Sequence, residues 1–402
     1  MRPLRLLVLT TLFPHAGLPT QGVFVENRLR HLVGTGCVEA TVLAPVPWFP
    51  SRSERFGTWA RHASAPAAEQ RHGLQVLHPR FLAIPKVGMA LAPSLLHAAA
   101  ARAARQLMAG GAVFDLIDAH YFYPDGVAAV RLGRRLGLPV VVTARGSDVT
   151  QLPDHALPRR RILAAMTKAD AMIAVSAGLK RAMVALGGPV ERITVLRNGV
   201  DLAMFHPTED RAAARARLGL VGPAIVSVGH LIARKGQHHT IAALASLPGW
   251  TLLLVGEGPE RRMLEALAAA QGVADRVRFL GTQPHEALAA LYGAADMSVL
   301  ASSREGWANV LLESMACGTP VVASAISGND EVVQGRDAGM IVDANTPEGF
   351  AAAIRALWAD MPARAAVRAY AEQFSWDATS EGQLDVFASA MRRFETRTQA
   401  GR

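Results

Sequence analysis

The sequence predicts an α/β protein with two doubly wound parallel-sheet domains and a cleft between them. Short β-branched and apolar runs alternate with stretches rich in alanine and leucine along most of the 402 residues. Runs that are apolar throughout are typical of strands buried on both faces of a parallel sheet. The strand series stops near Arg197-Asn198-Gly199 and restarts after a charged segment around Arg211–Leu218, which indicates two sheets.

The strands expected before this join are Leu4–Thr10, Val38–Ala44, Leu74–His78, Leu116–Ala119, Val140–Thr143, Ala171–Val175 and Ile193–Leu196. Those expected after it are Ala224–Val228, Thr251–Val255, Val277–Leu280, Met297–Leu300, Val321–Ala323 and Gly339–Val342. The resulting domains cover residues 1–200 and 201–375. Residues 376–402 are predicted to form a helix that crosses back onto the first domain, since Leu384, Phe387 and Met391 have helical spacing.

Residues 45–72 are rich in Pro, Arg and Ser, and we expect a long loop there. Half of all residues are apolar and no low-complexity tract occurs, which is typical of a globular chain. The two cysteines, Cys37 and Cys317, form neither a metal-spacing pattern nor a disulfide framework, so we expect a reducing cytoplasm. No apolar run is long enough to span a bilayer, and Leu4–Thr10 is expected to be a strand, not a signal peptide.

The basic residues are concentrated in the first half of the chain. Residues 1–204 hold 24 Lys/Arg against 12 Asp/Glu, while residues 205–402 hold 18 against 21. This asymmetry indicates an anionic partner such as a membrane surface or a lipid-linked pyrophosphate, although a high arginine content can also reflect genome composition. No nucleic-acid motif is present, so we expect no nucleic acid, and the segment Leu95–Met108 is one amphipathic candidate for membrane contact.

The run from Glu305 to Glu313 is the most informative part of the chain. Glu305 follows a strand-like run, and Glu313 lies on the predicted helix that comes next. A carboxylate at a helix entrance can hold a sugar hydroxyl while backbone N–H groups hold a phosphate, and a second carboxylate two turns along can reach a ribose diol. Two solvated glutamates are the simpler reading of such a pair taken alone.

The segment from Gly229 to Gly236 also follows a predicted strand. Its glycines allow a close backbone approach, and Arg234 and Lys235 supply cationic donors suited to a diphosphate. A basic pair in a loop is more often simply solvated. The turn Gly256-Glu257-Gly258-Pro259 is interpreted as architecture.

Three segments of the first half follow predicted strands and contribute candidate residues. Gly22 opens a helix whose N–H groups could face a phosphate or a sugar. His120 could hydrogen-bond a transferred sugar, although a lone histidine is more often structural. Arg145, Ser147 and Asp148 could face an acceptor, or Arg145 and Asp148 could form a local ion pair. Ligands of parallel sheets bind outside the carboxyl ends of the strands, where all these segments lie.

Taken together, these motifs resemble the retaining nucleotide-sugar glycosyltransferases of family 4, with the GT-B fold of two Rossmann-like domains. The most specific match is the stretch from Glu305 to Val322, which includes Glu-x7-Glu and Met315-Ala316-Cys317-Gly318-Thr319-Pro320-Val321-Val322. The segments Gly22–Val25, Tyr123–Gly126 and Arg145–Asp148 look like bacterial members that build exopolysaccharides or teichuronic-acid-type polymers.

The resemblance implies an acceptor-binding first domain and a nucleotide-sugar-binding second domain. It implies that Glu305 binds hydroxyls of the donor sugar, Glu313 the ribose and Lys235 the diphosphate, while His120 contacts the sugar. The full donor-binding set is Gly22, Gly229, His230, Arg234, Lys235, Glu305, Gly306, Trp307, Ala308, Asn309, Val310 and Glu313, with His120, Glu305 and Lys235 as the catalytic residues. His230 stands where the family often has Arg, and Trp307-Ala308-Asn309 replaces a commoner Phe-Gly-Leu.

The implied reaction is transfer of a hexose-type sugar to a glycan or lipid-linked glycan in bacterial surface polysaccharide synthesis. Retention without an evident enzyme nucleophile suggests front-face substitution, in which positioning and phosphate charge stabilisation do most of the catalysis. No Asp-x-Asp motif stands at a strand end, so we expect no metal and no other cofactor. The expected location is the cytoplasm, with peripheral contact to the inner face of the membrane.

Two other function classes stay open on the sequence alone. A sugar-nucleotide epimerase of similar two-domain shape would form an epimer without an acceptor. A non-catalytic carbohydrate-binding subunit would bind a nucleotide sugar without turnover, although both glutamates and Lys235 argue against it. A dehydrogenase is disfavoured because no Gly-x-Gly-x-x-Gly follows the first strand.

Overall fold

A computed structural model describes residues 2–83 and 88–400. The chain divides into two compact units. Unit 1 comprises the described parts of Met1–Asn198 and Trp376–Arg402, and unit 2 comprises Gly199–Ser375. The first division therefore falls two residues before the expected boundary at residue 200, and the second falls where the returning segment is expected to begin.

Unit 1 contains an eight-stranded sheet whose strands pair in parallel, apart from one antiparallel strand at the edge. The strands of unit 1, including two outside this sheet, are β1 Leu4–Leu9, β2 Val38–Leu43, β3 Val46–Trp48, β4 Ala68–Arg71, β5 Leu74–Leu77, β6 Arg80–Leu82, β7 Leu116–His120, β8 Val140–Ala144, β9 Ala171–Ala174 and β10 Ile193–Val195. The order in the sheet is β10-β9-β8-β7-β1-β2-β5-β4, and β3 pairs with β6 in a separate two-stranded ribbon. The central β7 and β8 are buried at every position, as strands covered on both faces of a sheet are, and β7 also buries Asp118 and His120.

The helices of unit 1 are α1 Val23–Gly34, α2 Thr58–Ala63, α3 Gly88–Ala109, α4 Val127–Leu136, α5 Ser147–Thr150, α6 Ala156–Lys168, α7 Ala177–Ala185 and, from the C-terminal segment, Trp376–Ala400. Residues 45–72 are not one long loop, as the sequence suggested. They contain β3, α2 and the antiparallel strand β4, whose mostly exposed residues give no continuous apolar signal. The short length of these elements explains why the loop prediction was wrong here.

The C-terminal segment joins the core of unit 1. Val386, Phe387 and Ala390 are buried among residues of the first strands and of α1, and Leu384 and Met391 pack against the same cluster. The Thr379 hydroxyl also donates to the backbone carbonyl of Arg197 at 2.8 Å. These contacts confirm the predicted return of the chain to the first domain.

Unit 2 contains one parallel sheet of six strands with the order β13-β12-β11-β14-β15-β16. Its strands are β11 Ala224–Val228, β12 Thr251–Val255, β13 Val277–Phe279, β14 Met297–Leu300, β15 Val321–Ala323 and β16 Gly339–Ile341. Its helices are α8 Arg211–Arg217, α9 Gln237–Leu244, α10 Arg261–Ala270, α11 Leu288–Ala294, α12 Asn309–Ala316, α13 Asn329–Val332, α14 Pro347–Ala359 and α15 Arg364–Glu372; the C-terminal helix of unit 1 is α16. Both sheets confirm the predicted doubly wound α/β architecture.

The amphipathic candidate Leu95–Met108 lies within α3. Its apolar side, with Leu96, Ala100 and Ala104, is buried in unit 1, while Arg102 and Arg105 are exposed. The packing of unit 1 therefore already buries the apolar face of this segment, and its basic residues lie on the exposed side. Over residues 2–83 and 88–400, no helix combines the length and apolar character needed to cross a bilayer.

Candidate functional site

The site in unit 2 is built by the loops that follow β11 and β14, which are neighbouring strands. The backbone N–H of Ser303 donates to the carbonyl of Arg234 at 2.9 Å, and the Arg234 guanidinium donates to the carbonyl of Arg304 at 2.9 Å. Gly236 has φ +66°, and a Cβ there would lie 2.0 Å from the carbonyl oxygen of Ala301. Only glycine fits this close approach, which fastens the two loops together at the carboxyl ends of their strands.

Lys235 and Glu305 form the central ion pair of this site. The Lys235 Nζ lies 2.6 Å from Glu305 Oε1, and Arg234 Nη1 lies 3.9 Å from Oε2. The Lys235 and Glu305 side chains are only 16% and 10% exposed. An ammonium has three donors and a carboxylate about four acceptor positions, so this pair can still bind a ligand at both groups.

Glu305 stands just before α12, and the segment between them offers little side-chain chemistry. Trp307 is 7% exposed with its ring 6.1 Å from that of Phe374, and Ala308 is 3% exposed. Ala308 occupies the N-cap position of α12, where its methyl side chain makes no capping hydrogen bond. The segment therefore presents the Glu305 carboxylate and the positive end of a helix, an arrangement suited to an anion beside a hydroxyl-bearing group.

Glu313 lies further along α12, with Leu311 and Leu312 in the buried part of the helix. Its Oε1 lies 3.1 Å from His285 Nε2, and its Oε2 accepts a hydrogen bond from the Tyr292 hydroxyl at 3.3 Å. Burial lowers the pKa of His285, but the hydrogen bond and charge of Glu313 outweigh this and raise it overall. Burial and the same carboxylate raise the pKa of Tyr292, which keeps its hydroxyl protonated as a donor.

The remaining donor-side candidates of unit 2 surround this centre. Asn309 and Val310 are half-buried in the first turn of α12, and Gly306 is half-buried next to Glu305. Gly229 follows β11 directly. A Cβ on Gly229 would lie 3.6 Å from the Lys235 side chain. His230 is exposed, with Nδ1 3.3 Å from the carbonyl of Glu257. All the donor-binding candidates of unit 2 thus lie on the loops after β11 and β14 or on α12.

Glycines of the turn after β12 pack against the loop after β11. A Cβ on Gly256 would lie 2.1 Å from the carbonyl oxygen of Gly229, and one on Gly258 would lie 2.2 Å from that of Leu231. The architectural interpretation of this turn fits these contacts.

In unit 1, Gly22 precedes α1 in the left-handed conformation, with φ +72°. A Cβ there would lie 2.3 Å from the carbonyl carbon and oxygen of Leu12, so the loop after β1 can fold against the helix only at a glycine. Thr11 of that loop is anchored by Asp125, whose Oδ2 accepts from the Thr11 N–H at 2.9 Å and from its hydroxyl at 3.0 Å.

His120 and Arg145 come together at the ends of the adjacent strands β7 and β8. Arg145 Nη2 lies 2.7 Å from His120 Nδ1, while His120 Nε2 lies 3.4 Å from Asp118 Oδ2. Burial lowers the pKa of His120, with the Arg145 charge adding to the effect and the Asp118 charge opposing it. Burial, together with the charge of Arg28, lowers the pKa of Arg145 to about 9, so it is still a cation at neutral pH.

Ser147 and Asp148 are occupied by contacts inside unit 1. Asp148 accepts hydrogen bonds from the backbone N–H groups of Phe122, Arg145 and Gly146 at 2.8 to 3.0 Å, so it shapes the loop instead of pairing with the Arg145 guanidinium. The Ser147 hydroxyl lies 2.7 Å from that of Tyr121.

The sequence did not single out the partners that orient these candidates. Besides His285 and Tyr292 in unit 2, a buried polar network in unit 1 joins Arg28 and Asp118 through Gln383 of α16. The partners of these residues lie 21 to 355 positions away in the sequence. Only the folded chain reveals them.

Comparison with known proteins agrees with this architecture. Residues 21–204 match the model of Glycosyltransferase Family 4, and residues 210–374 match that of Glycosyl transferases group 1. A D-inositol 3-phosphate glycosyltransferase of Acidothermus cellulolyticus is 36% identical over 318 residues, which are 71% of this chain and 69% of the relative. One from Segniliparus rotundus is also 36% identical, over 69% of this chain and 67% of the relative.

Solved structures share the fold over nearly the whole chain. Sucrose-phosphate synthase of Thermosynechococcus elongatus is 24% identical with a TM-score of 0.75, covering 96% of this chain and 100% of that one. Anabaena HepE in complex with UDP-glucose is 22% identical with a TM-score of 0.74, covering 96% and 99%. By its sequence matches and its GT-B architecture, the chain belongs to glycosyltransferase family 4, and its activity is that of a glycosyltransferase.

Proposed function

We propose that this protein is a retaining glycosyltransferase that moves a hexose-type sugar from a nucleotide-sugar donor to a hydroxyl of its acceptor. The observation that carries the proposal is the ion pair between Lys235 and Glu305 at the entrance of α12. Lys235 and Arg234 supply cationic donors for the diphosphate, and the Glu305 carboxylate accepts hydrogen bonds from the sugar hydroxyls. Glu313 binds the ribose.

In the proposed reaction the acceptor oxygen forms a bond to the anomeric carbon on the face from which the phosphate leaves. The bond between the anomeric carbon and the phosphate oxygen breaks, and the acceptor hydroxyl proton passes to that oxygen. Negative charge grows on the leaving diphosphate, where Lys235 and Arg234 stabilise it more strongly than in the ground state. No protein nucleophile and no metal take part in this scheme.

The residues of unit 1 complete the proposal. Gly22 supplies a backbone N–H to the donor, and His120 contacts the transferred sugar. Both His120 nitrogens have partners, so His120 would exchange its longer contact, 3.4 Å to Asp118, for a sugar hydroxyl. Arg145, Ser147 and Asp148 act on the acceptor side by fixing the shape of the loop after β8.

Two acceptor classes are supported by different observations. The sequence motifs favour a glycan or lipid-linked glycan of bacterial surface polysaccharide synthesis. The relatives that are 36% identical are D-inositol 3-phosphate glycosyltransferases, which favours a phosphorylated cyclitol. A panel with both acceptor types separates them, because each predicts a product of different mass.

We further propose that the protein works in the cytoplasm at the membrane surface and contacts anionic lipid through the β3–β6 ribbon. Trp48 and Leu82 are register partners in this ribbon and are 50% and 49% exposed. The exposed Arg52 and Arg55 follow closely, with the Arg55 guanidinium 4.8 Å from the centre of the Phe56 ring. Exposed tryptophan beside arginine is typical of membrane interfaces.

Flotation with phosphatidylcholine vesicles, with and without phosphatidylglycerol, tests the membrane proposal. We expect binding that requires the anionic lipid and is lost in Trp48→Ala. Trp358→Ala changes a tryptophan of unit 2 with similar exposure, 45%, and should leave binding intact. Equal recovery of wild type and Trp48→Ala would refute the proposed contact.

The decisive experiment measures sugar transfer from UDP-, GDP- and dTDP-hexoses to both acceptor types, with wild type and Glu305→Gln. We expect one donor to give a product with retained anomeric configuration by NMR, and a loss of transfer in the variant. The same assay in EDTA should keep its rate, and a rate that requires an added divalent ion would refute metal independence. Epimer formation without an acceptor, or donor binding without turnover, would favour the two alternative functions.

A further inference from the structure

Within residues 2–83 and 88–400, no arginine or lysine side chain forms a hydrogen bond or ion pair with Glu313. Its two carboxylate oxygens are held instead by an imidazole nitrogen of His285 and the hydroxyl of Tyr292. Glu313 is 9% exposed, and an ionised carboxylate at such a position requires hydrogen bonds or a counter-charge. The identity of these two partners therefore controls the orientation of Glu313, and the protonation of His285 sets the charge beside it.

His285 and Tyr292 are themselves held by a third side chain. The Phe205 ring packs edge-on against His285 with centroids 5.0 Å apart, and against Tyr292 with centroids 6.2 Å apart. Phe205 is 1% exposed, and its backbone carbonyl accepts a hydrogen bond from Arg368 at 2.6 Å. The rings around Glu313 thus form a packed set with little freedom to turn.

Each Glu313 oxygen accepts one of the two hydrogen bonds. A carboxylate has about four acceptor positions, so two are left for other donors. A ribose presents its 2′- and 3′-hydroxyls as two neighbouring donors, which matches this remaining capacity. The two side chains can therefore orient Glu313 without consuming the positions that a diol would use.

We propose that His285 is a positioning residue that sets the preference of this site for ribose over 2′-deoxyribose, by holding Glu313 oriented toward the ribose hydroxyls. The proposal rests on the proposed role of Glu313 in ribose binding. It adds a residue that acts through Glu313 and a specificity that follows from it. Tyr292 supports the same carboxylate as a permanently neutral donor.

The charge on His285 adds a pH dependence to this preference. The carboxylates facing His285 are Glu313 from α12, its neighbour Glu286 and Asp201 from the segment before α8, and their charges raise its pKa. Protonated His285 carries the positive charge that attracts Glu313, so this favourable charge is present at lower pH. It is lost as the pH rises through the raised value, and ribose binding should weaken in that direction.

The test measures dissociation constants for UDP, GDP and their 2′-deoxy counterparts by calorimetry. For the nucleotide that binds wild type, we expect a preference for the ribose form and a roughly tenfold weaker affinity for it in His285→Phe. Affinity for the 2′-deoxy form should change much less. His285→Gln, which can still donate to Glu313, should recover part of the preference and remove its decline with rising pH.

Three controls separate this inference from the proposed function. His206→Gln alters an exposed histidine of the same unit and should change nothing. If none of UDP, GDP and dTDP binds wild type, or if Glu313→Gln leaves the ribose preference intact, the proposed donor site itself is wrong. Thermal melting identifies variants that have not folded. If Glu313→Gln abolishes the ribose preference while folded His285→Phe and His285→Gln retain it at every pH, only the role of His285 is refuted.

Discussion

The Arg145 guanidinium donates a hydrogen bond to Nδ1 of His120 across 2.7 Å, which determines where the imidazole carries its proton. A guanidinium has no acceptor, so Nδ1 must be unprotonated and the ring hydrogen lies on Nε2. That nitrogen faces Asp118 at 3.4 Å. The lowered pKa of His120 agrees with this neutral form. His120 is thus a neutral donor whose direction is set by its neighbours.

Arg145→Lys should therefore lower turnover although it preserves the charge. Arg145 contacts both His120 and Asn198, the latter at 3.2 Å, through two different guanidinium nitrogens. A single ammonium cannot reproduce this fork, so we expect kcat to fall by roughly a hundredfold if the histidine is misplaced by about 1 Å. Steady-state kinetics of the variant measure this, and His72→Gln, at an exposed histidine of the same unit, serves as the control.

An unchanged kcat in folded Arg145→Lys would show that the orientation of His120 is not needed for transfer. A fall in stability alone, with normal kcat at low temperature, would assign Arg145 a purely structural role.

Lys235→Met should abolish most of the transfer activity. The methionine stem occupies a similar volume, but the ammonium that would stabilise the leaving diphosphate is lost, and Glu305 keeps only Arg234, 3.9 Å from its Oε2, as a counter-charge. Loss of one such preorganised donor is expected to lower kcat by about 100- to 1000-fold. Lys235→Arg should retain more activity than Lys235→Met. Arg262→Met, at an exposed arginine of the same unit, should behave as wild type in both kinetics and melting temperature.

A second comparison changes Lys235 and Glu305 together. If Lys235 acted only by neutralising Glu305, the double variant Lys235→Met with Glu305→Gln would recover the activity lost in Lys235→Met. We expect no recovery, because both groups are proposed to contact the donor.

Asp125 should make unit 1 less stable as the pH rises from about 4 to about 8. Burial raises its pKa to about 8, with hydrogen bonds from Thr11 opposing the shift and the charge of Asp148 adding to it. The folded state then binds a proton that the unfolded state releases at an ordinary value near 4, so stability declines as the pH rises between these values. The slope is at most about 1.4 kcal/mol per pH unit. Above the folded-state pKa the decline should level off.

Asp125→Asn removes this titration while its amide oxygen can still accept both hydrogen bonds from Thr11. We expect the stability of the variant relative to wild type to increase from pH 6 to pH 8 in urea denaturation. Parallel pH dependences for the two proteins would mean that Asp125 titrates normally in the folded state.

Much of the architecture could be predicted because buried parallel strands leave a local signal. Every strand predicted from a continuous apolar run is present within one or two residues of its expected ends, from Leu4–Leu9 to Gly339–Ile341. Ala68–Arg71 was missed because an edge strand with exposed side chains has no such run. The local rule worked where both faces of a strand are covered and failed at the margin of the sheet.

The candidate site shows the same limit. Lys235 and Glu305 could be singled out because each follows a strand, and strands of one parallel sheet bring such loops to a common edge. The partners of Glu313 could not be singled out, since His285 is separated from it by 28 positions and lies in no recognisable motif. Asp148 was expected at the acceptor side, yet three backbone N–H groups occupy it. Such partners come together only through tertiary packing, and no fixed spacing in the sequence marks them.

Gln383 provides the sharpest stability test of the returning helix α16. Its amide oxygen accepts from Arg28 Nε at 2.7 Å and its amide nitrogen donates to Asp118 Oδ2 at 3.0 Å, with all three side chains buried. Only a side chain with both a donor and an acceptor can serve both partners. Gln383→Leu removes one hydrogen bond from each of two buried charged groups, and each loss costs about 1–3 kcal/mol, so we expect a loss of at least about 2 kcal/mol in urea denaturation.

Gln383→Glu separates the two contacts, since a carboxylate still accepts from Arg28 but repels Asp118 instead of donating to it. We expect its stability to lie below wild type and to improve as the pH falls and a carboxyl becomes protonated and can donate again. Gln399→Leu, at an exposed position of the same helix, should change the unfolding free energy by less than about 0.5 kcal/mol. If Gln383→Leu were as stable as this control, the buried network would not be what holds α16 against unit 1, and the apolar contacts of Phe387 would have to suffice.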